Sequence, residues 1–232
     1  DPLLSARVTS PRLSMTEARP YVPFGILPPD TGAFFRDTLR EAVFTGLEGR
    51  IQGRLSRIRQ MDRDDNARVL SVQTRVEQGV LSFGAKVPPF KDIAGRIRFA
   101  GRDILFENIT GRFGLSSLSL SGRITDYPLA APSRYPFAAI VQPRPTEVRW
   151  LLGEAAGTLR ISGSSVLKLD GDGTLGDYRL TGLWDATAAS WRIPGAIAKP
   201  AGVSNRIRAD LRFVPGEVRI AGLVCDLAAL SV

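Results

Sequence analysis

Between Lys91 and Tyr127 the chain keeps a period of two, and this constrains its fold more tightly than any other feature. Ile97 and Phe99 alternate with Arg96 and Arg98. Ile104 and Phe106 repeat the pattern, and Leu118 and Leu120 alternate with Ser117, Ser119 and Ser121. A period of two belongs to strands with one buried and one solvated face. Gly-Arg steps at Gly95, Gly111 and Gly122 begin or punctuate these runs, where the chain needs a turn or bend. The stretch therefore reads as three or four antiparallel strands in a meander, each apolar on the same side.

The rest of the chain extends or decorates that sheet. Residues 3 to 17 carry a strand or two, followed by prolines at Pro20, Pro23, Pro28 and Pro29. A helix is expected from Asp30 to about Thr45. Asp30 or Thr31 would cap it, Phe35, Leu39, Ala42 and Val43 form its apolar stripe, and Gly46 ends it. Such a helix would lid a sheet edge or one end of a core. Strand character resumes from Gly49 to Leu55, and Met61 to Asn66 is a polar loop. Leu70, Val72, Thr74 and Val76 alternate with polar residues, with a turn expected at Gln78-Gly79. Pro88-Pro89 forbids a central strand there. Phe137 to Val141 can form a strand, and Thr146 caps a short helix that Gly153 stops after Leu152.

That helix divides the chain into a first β segment, residues 1–145, and a second, 146–232. In the second, Leu159, Ile161, Leu167 and Leu169 share a parity, as do Tyr178, Leu180 and Trp184, and Ile207, Ala209, Leu211 and Phe213. Pro215-Gly216 turns the chain into Val218 and Ile220. The halves read as loose repeats of one theme.

Several functions are disfavoured by residue content. The chain has no histidine and a single cysteine, Cys225, so the commonest general base, an internal disulfide and a thiolate metal cage are excluded. Leu169-Asp170-Gly171-Asp172-Gly173 begins like a calcium loop. Leu175 stands where its glycine belongs, however, and Thr181 where its closing glutamate belongs, so an Asp/Gly hairpin turn is expected instead. Asn108-Ile109-Thr110 fits a glycosylation sequon but lies in a strand-like run. No phosphate-binding loop and no Gly-x-Ser-x-Gly elbow occur. Neither catalysis nor a cofactor is expected.

The net charge of +8 comes from arginines, only four of the 31 basic residues being lysine. They fall one or two per strand opposite the apolar face, without an interleaved aromatic ladder, which favours a solvated face over nucleic-acid binding. No apolar run reaches about 18 residues. The opening DPLLSARVTS reads as a strand entered midway, without a signal peptide, as in a segment of a longer protein.

The apolar face is thus the candidate site. Ile97, Phe99, Ile104, Phe106, Leu118 and Leu120 form it in the first half. Leu159, Ile161, Leu167, Leu169, Leu211 and Phe213 join them from the second. Periodicity alone leaves two outcomes open: the dry core of a closed sandwich or barrel, or an open sheet that holds lipid.

Three passages resemble the AsmA-like family of Gram-negative envelope proteins, and its YhdP branch in particular. One runs from Tyr21-Val22-Pro23 through Leu27-Pro28-Pro29-Asp30 to Leu39 and the glycine-started strand beyond. Another spans Val76 to Asn108, with its Gly turn, Pro88-Pro89, the Gly-Arg-Ile-Arg-Phe strand and LFEN. The third is Leu183 to Gly202, with Asp185-Ala186-Thr187-Ala188-Ala189, then Pro194, then Lys199-Pro200-Ala201-Gly202. Val87 and Ala198 stand where such proteins often carry tryptophan, and the family's N-terminal membrane anchor is missing from this sequence.

The resemblance implies a mainly β fold: an elongated, curved antiparallel sheet forming a taco-like open groove, with one or two short helices. It further implies a periplasmic location within an inner-membrane-anchored protein, phospholipid as ligand and partner, and transport toward the outer membrane, where a further partner would receive it. A structural module assisting outer-membrane assembly, with a closed core, is the alternative. A polyanion binder, suggested only by the charge, is a third.

Overall fold

In the computed structural model, residues 1–21, 34–127, 129, 132–153, 157–195 and 197–228 are described. In chain order the strands are β1 (Leu3–Ser14), β2 (Leu39–Arg54), β3 (Leu70–Leu81), β4 (Phe90–Ala100), β5 (Asp103–Phe113), β6 (Ser116–Ile124) and β7 (Phe137–Gln142). There follow β8 (Arg160–Ser162), β9 (Val166–Thr174), β10 (Asp177–Asp185), β11 (Ser190–Ile193), β12 (Ile197–Lys199), β13 (Asn205–Val214) and β14 (Glu217–Leu227). Short helices are α1 (Met15–Ala18), α2 (Leu55–Arg59) and α3 (Pro145–Leu152).

The fold is mainly antiparallel β. Strands β1 to β7, then β9, β10, β13 and β14, neighbour one another in chain order. The sheet is open, since β1 and β14 each have a single neighbour. Strands β12, β11 and β8 form a separate small sheet. Two compact units divide the chain: Asp1–Gly111 with Leu120–Pro136, and Arg112–Ser119 with Phe137–Val232.

In the first unit, β3 pairs with β4 so that Thr74 faces Ile97 and Val72 faces Phe99, while Gly49 of β2 faces Val72. The alternation is broken at one level by residues in the left-handed region: Gln78 in β3, Asp92 in β4 and Asn108 in β5. The register shifts on either side of Gly79 mark Gln78 and Asp92 as bulges. Each bulge inserts one residue and returns the chain to the same face. Glycines accommodate the isoleucines that follow. A Cβ on Gly111 would lie 2.5 Å from Ile93 Cδ1, and one on Gly95 2.5 Å from Ile109 Cδ1.

The helix expected from Asp30 to Thr45 does not form over its second part, which is the start of β2. Phe34–Thr38 makes one π-helical turn, and residues 22–33 lie outside the described region. The misreading has a physical cause. Register shifts between Leu39 and Val43 put Leu39 and Ala42, three apart, on one buried side of a strand, which imitates a helical stripe. They pack with Met15 and Val76, against Phe44, Leu81 and Ile97. Gln78-Gly79 is likewise no turn, because β3 runs on through its bulge to Leu81.

In the second unit the short helix appears as α3, with Pro145 in its first turn, where the missing N–H costs nothing. Its Glu147 is buried and accepts from the Leu115 N–H at 3.0 Å and the Ser116 hydroxyl at 2.8 Å. Ser116 Oγ in turn accepts the Arg144 N–H at 2.9 Å. Leu169–Gly173 is not a turn but the middle of β9, and the hairpin reverses at Leu175-Gly176. The glycines there leave room for rings: Phe137 and Tyr178 stack with centroids 6.3 Å apart, beside Gly171.

Candidate functional site

The register of the second unit assembles an apolar face row by row. Val218, Phe213, Tyr178 and Gly173 form one row; Ile220, Leu211, Leu180, Gly171 and Phe137 the next. Leu223, Ala209, Gly182, Leu169 and Ala139 follow, then Cys225, Ile207, Trp184, Leu167 and Val141. Five strands thus present one unbroken apolar surface. Its covering is incomplete. Leu167, Leu169, Leu211 and Phe213 are only half-buried, and on β14 Val218, Ile220 and Leu223 remain 58, 67 and 63 % exposed.

The opposite face of the same strands is charged, with isolated apolar residues such as Leu183 and Ile140 among the charges. Arg212 grips Asp177 with two bonds, 2.7 and 2.6 Å long, and Arg206 reaches Asp185 at 3.3 Å. The hydrogen bond from Arg212 is the main reason the Asp177 carboxyl sits below its ordinary range. On the apolar side, burial pushes the Tyr178 phenol up to about 12, with the Asp172 carboxylate adding to the effect.

In the first unit, Ile97 and Phe99 share a face with Val72, Thr74 and Val76. Glu107 pairs with Arg98 at 2.9 Å on the other side, so alternation within β5 turns Ile104 and Phe106 toward Ile97 and Phe99. Phe99 meets Tyr127 edge-on with centroids 5.6 Å apart, and burial raises the Tyr127 phenol. Ile104 is buried, and Ile97, Phe99, Phe106 and Leu120 are half-buried.

Of the twelve residues expected on the apolar face, Ile97, Phe99, Ile104 and Phe106 share the face in the first unit. Leu167, Leu169, Leu211 and Phe213 share that of the second. Leu118 and Leu120 are half-buried and alternate with exposed serines along β6. Leu159 and Ile161 are a correction. Leu159 precedes β8, and Ile161 within β8 faces Trp191 of β11 in the small sheet, off the main one. Their parity matched because strands of any sheet alternate alike. Conversely Leu180, Trp184, Ile207, Ala209, Val218, Ile220 and Leu223 stand on the face and were not among the twelve. The alternation of β10 and β13 signalled the first four; the bulge between Asp210 and Leu211, opposite Ala221, hid Leu223.

Among the described residues no cluster of acidic or cysteine side chains could hold a metal ion, and no helix is long and apolar enough to cross a membrane. What the geometry offers is a wide, one-sided, partly uncovered apolar surface backed by ion pairs. Comparison with protein-family models, with curated proteins and with solved structures returns no match for this chain.

Proposed function

We propose that the chain is a non-catalytic segment of an AsmA-like carrier of the YhdP branch, holding phospholipid acyl chains against its apolar face. In this reading it lies in the periplasm of a Gram-negative bacterium, within an inner-membrane-anchored protein that moves lipid toward the outer membrane. The observation that carries it is the exposure of Val218, Ile220 and Leu223 at the rim of a continuous apolar face, at 58, 67 and 63 %. A dry closed core would bury such rows. Acyl chains gain about 0.8 kcal/mol for each methylene hidden from water. Five strands at roughly 4.8 Å spacing give a ribbon about 20 Å across, enough to lay chains along.

Organic extraction of the purified protein followed by mass spectrometry tests the reading directly, with phospholipid recovered in stoichiometric amount as the expected result. Leu211→Asp adds a sharper arm. Its neighbour Ile220 is open to water, so the new carboxylate should stay hydrated, leaving the melt near that of the parent while photocrosslinked lipid is lost. Absence of extractable lipid, or a folded variant that crosslinks like the parent, would overturn it.

A further inference from the structure

The small sheet carries a second feature that acyl-chain binding leaves unused. Arg192 of β11 lies directly opposite Arg160 of β8, and two pairs further on Ser190 lies opposite Ser162, their hydroxyls 2.8 Å apart. All four point to one face by alternation. Two like charges placed opposite each other on neighbouring strands repel. Neither arginine makes an ion pair with any described carboxylate, and both are exposed, so no described carboxylate offsets the repulsion.

The other face of this sheet is fastened. Ile161, Trp191 and Lys199 form its facing row. The Trp191 indole donates to Asn205 Oδ1 at 3.2 Å. Lys199 is 1 % exposed and gives its ammonium protons to the carbonyls of Ala186, Thr187 and Ala189 at 2.8, 2.8 and 2.5 Å. The loop it holds is tied further by the Thr187 N–H to Asp185 at 3.0 Å and the Gly202 N–H to the Thr187 carbonyl at 2.8 Å. The two arginines are therefore presented from a fixed base, which is what an anion site requires.

We infer that this face binds a phosphate group. Two guanidinium forks can engage oxygens on different sides of one tetrahedral phosphorus, whereas a carboxylate is satisfied by a single fork. The serine hydroxyls supply further donors one row away. The groove they line, with Ala198 and Pro200 along it, measures ≈ 390 Å³ and is open. It therefore has space for substituents beyond the phosphorus, as in a phosphodiester. Phosphate binding as such stands independently of the proposed function. Its assignment to the headgroup of a carried lipid rests on that reading, and free inorganic phosphate is the other source of the same chemistry.

The test titrates the whole chain, as parent and as the Arg160→Gln/Arg192→Gln double variant, with inorganic phosphate and separately with water-soluble dihexanoyl phosphatidylglycerol. Arg179→Gln, which removes one charge from the main sheet, is the control. The parent should bind phosphate, and the double variant should bind it about tenfold or more weakly, with the control unchanged. Without anion, the double variant should melt no lower than the parent at low salt, because a repulsion has been removed. Loss of both ligands in the double variant supports a headgroup site. Loss of phosphate alone, with lipid retained, supports an anion site for the free ion. Equal phosphate affinity in parent and double variant, or an equal loss in the control, overturns the inference. Lipid recovered from the parent by extraction while phosphate fails to bind would sink this site and leave the proposed function standing; the reverse pattern would do the opposite.

Discussion

Gly171 and Gly173 lie on the apolar face of β9 two residues apart, yet an added methyl should cost very different amounts at each. At Gly171 the backbone is ordinary, and the obstacles are side chains: a Cβ would meet the Tyr178 hydroxyl and lie 2.5 Å from Phe137 Cε1. Both rings can swing on a half-open surface. Overpacking of about 1–2 kcal/mol is partly offset by the roughly 0.4–1 kcal/mol that Gly→Ala gains by restricting the unfolded chain. Gly171→Ala should therefore destabilise by about 1 kcal/mol or less.

At Gly173 the obstacle is backbone. The Cβ would meet the Asp177 carbonyl and sit 2.7 Å from Tyr178 Cα, and φ is +147°. The β9–β10 pair must open, and the positive φ adds strain of about 1–2 kcal/mol to overpacking of about 2–3, giving a net loss of about 3 kcal/mol. All three tryptophans, Trp150, Trp184 and Trp191, lie in the second unit, so their fluorescence during urea unfolding reports on the unit that contains both glycines. A common m-value in parent and variants would confirm that the midpoints can be compared as stabilities. Gly173→Ala matching the parent, or losing less than Gly171→Ala, would refute the claim that close strand approach at Gly173 is what the glycine is for.

Lys199→Met keeps the stem but removes the ammonium. The Ala186 and Thr187 carbonyls retain the N–H groups of Ala189 and Gly202, while the Ala189 carbonyl loses its described partner. A loss of about 2–3 kcal/mol in urea is expected, with a shifted Trp191 emission. Glu147→Ala should cost about 2–3 kcal/mol by the same assay, since the Leu115 N–H and Ser116 hydroxyl lose their buried acceptor. In acid, the Asp177 carboxyl, held low by Arg212, contributes stability that is present above about pH 4. That contribution is lost as pH falls through the lowered folded-state value, so Asp177→Asn should flatten the acid decline of Tm between about pH 5 and 2.

The strands were legible where one residue follows another without interruption. The one-sided rows Val72-Thr74-Val76, Ile97-Phe99 and Ala209-Leu211-Phe213 and the α3 helix all follow from spacing that the sequence displays. Legibility failed at bulges and glycines. Between Leu39 and Val43 the inserted residues turned a period of two into an apparent stripe, so a strand looked like a helix. Asp-Gly-Asp-Gly looked like a turn because glycine is usually read as freedom of φ, whereas at Gly171 its use is the absent side chain, which admits Phe137 and Tyr178. Nothing in the spacing of Leu159 and Ile161 tells that Leu159 stops short of β8 or which sheet Ile161 joins; the latter depends on pairing with Trp191, about thirty residues later.

A signal for the bulges does exist in the chain. Asp92-Ile93-Ala94-Gly95-Arg96 and Asn108-Ile109-Thr110-Gly111-Arg112 share a pattern of an Asp or Asn in the left-handed region, then isoleucine, then glycine two residues on, then arginine. The two copies interlock, each isoleucine lying over the other's glycine. Asp and Asn tolerate the left-handed region better than other non-glycine residues, so the bulge is encoded at little cost. Each bulge bends its strand and raises local twist. Because Gln78, Asp92 and Asn108 lie in neighbouring strands, the bends fall together in the first unit. The Gly-Arg steps at Gly95 and Gly111 are therefore the ends of this interlock: the glycine admits the neighbouring isoleucine, and the arginine after it resumes the alternation on the solvated face. That alternation keeps Ile97 and Phe99 opposite Thr74 and Val72, and with them the apolar face on which the proposed function depends.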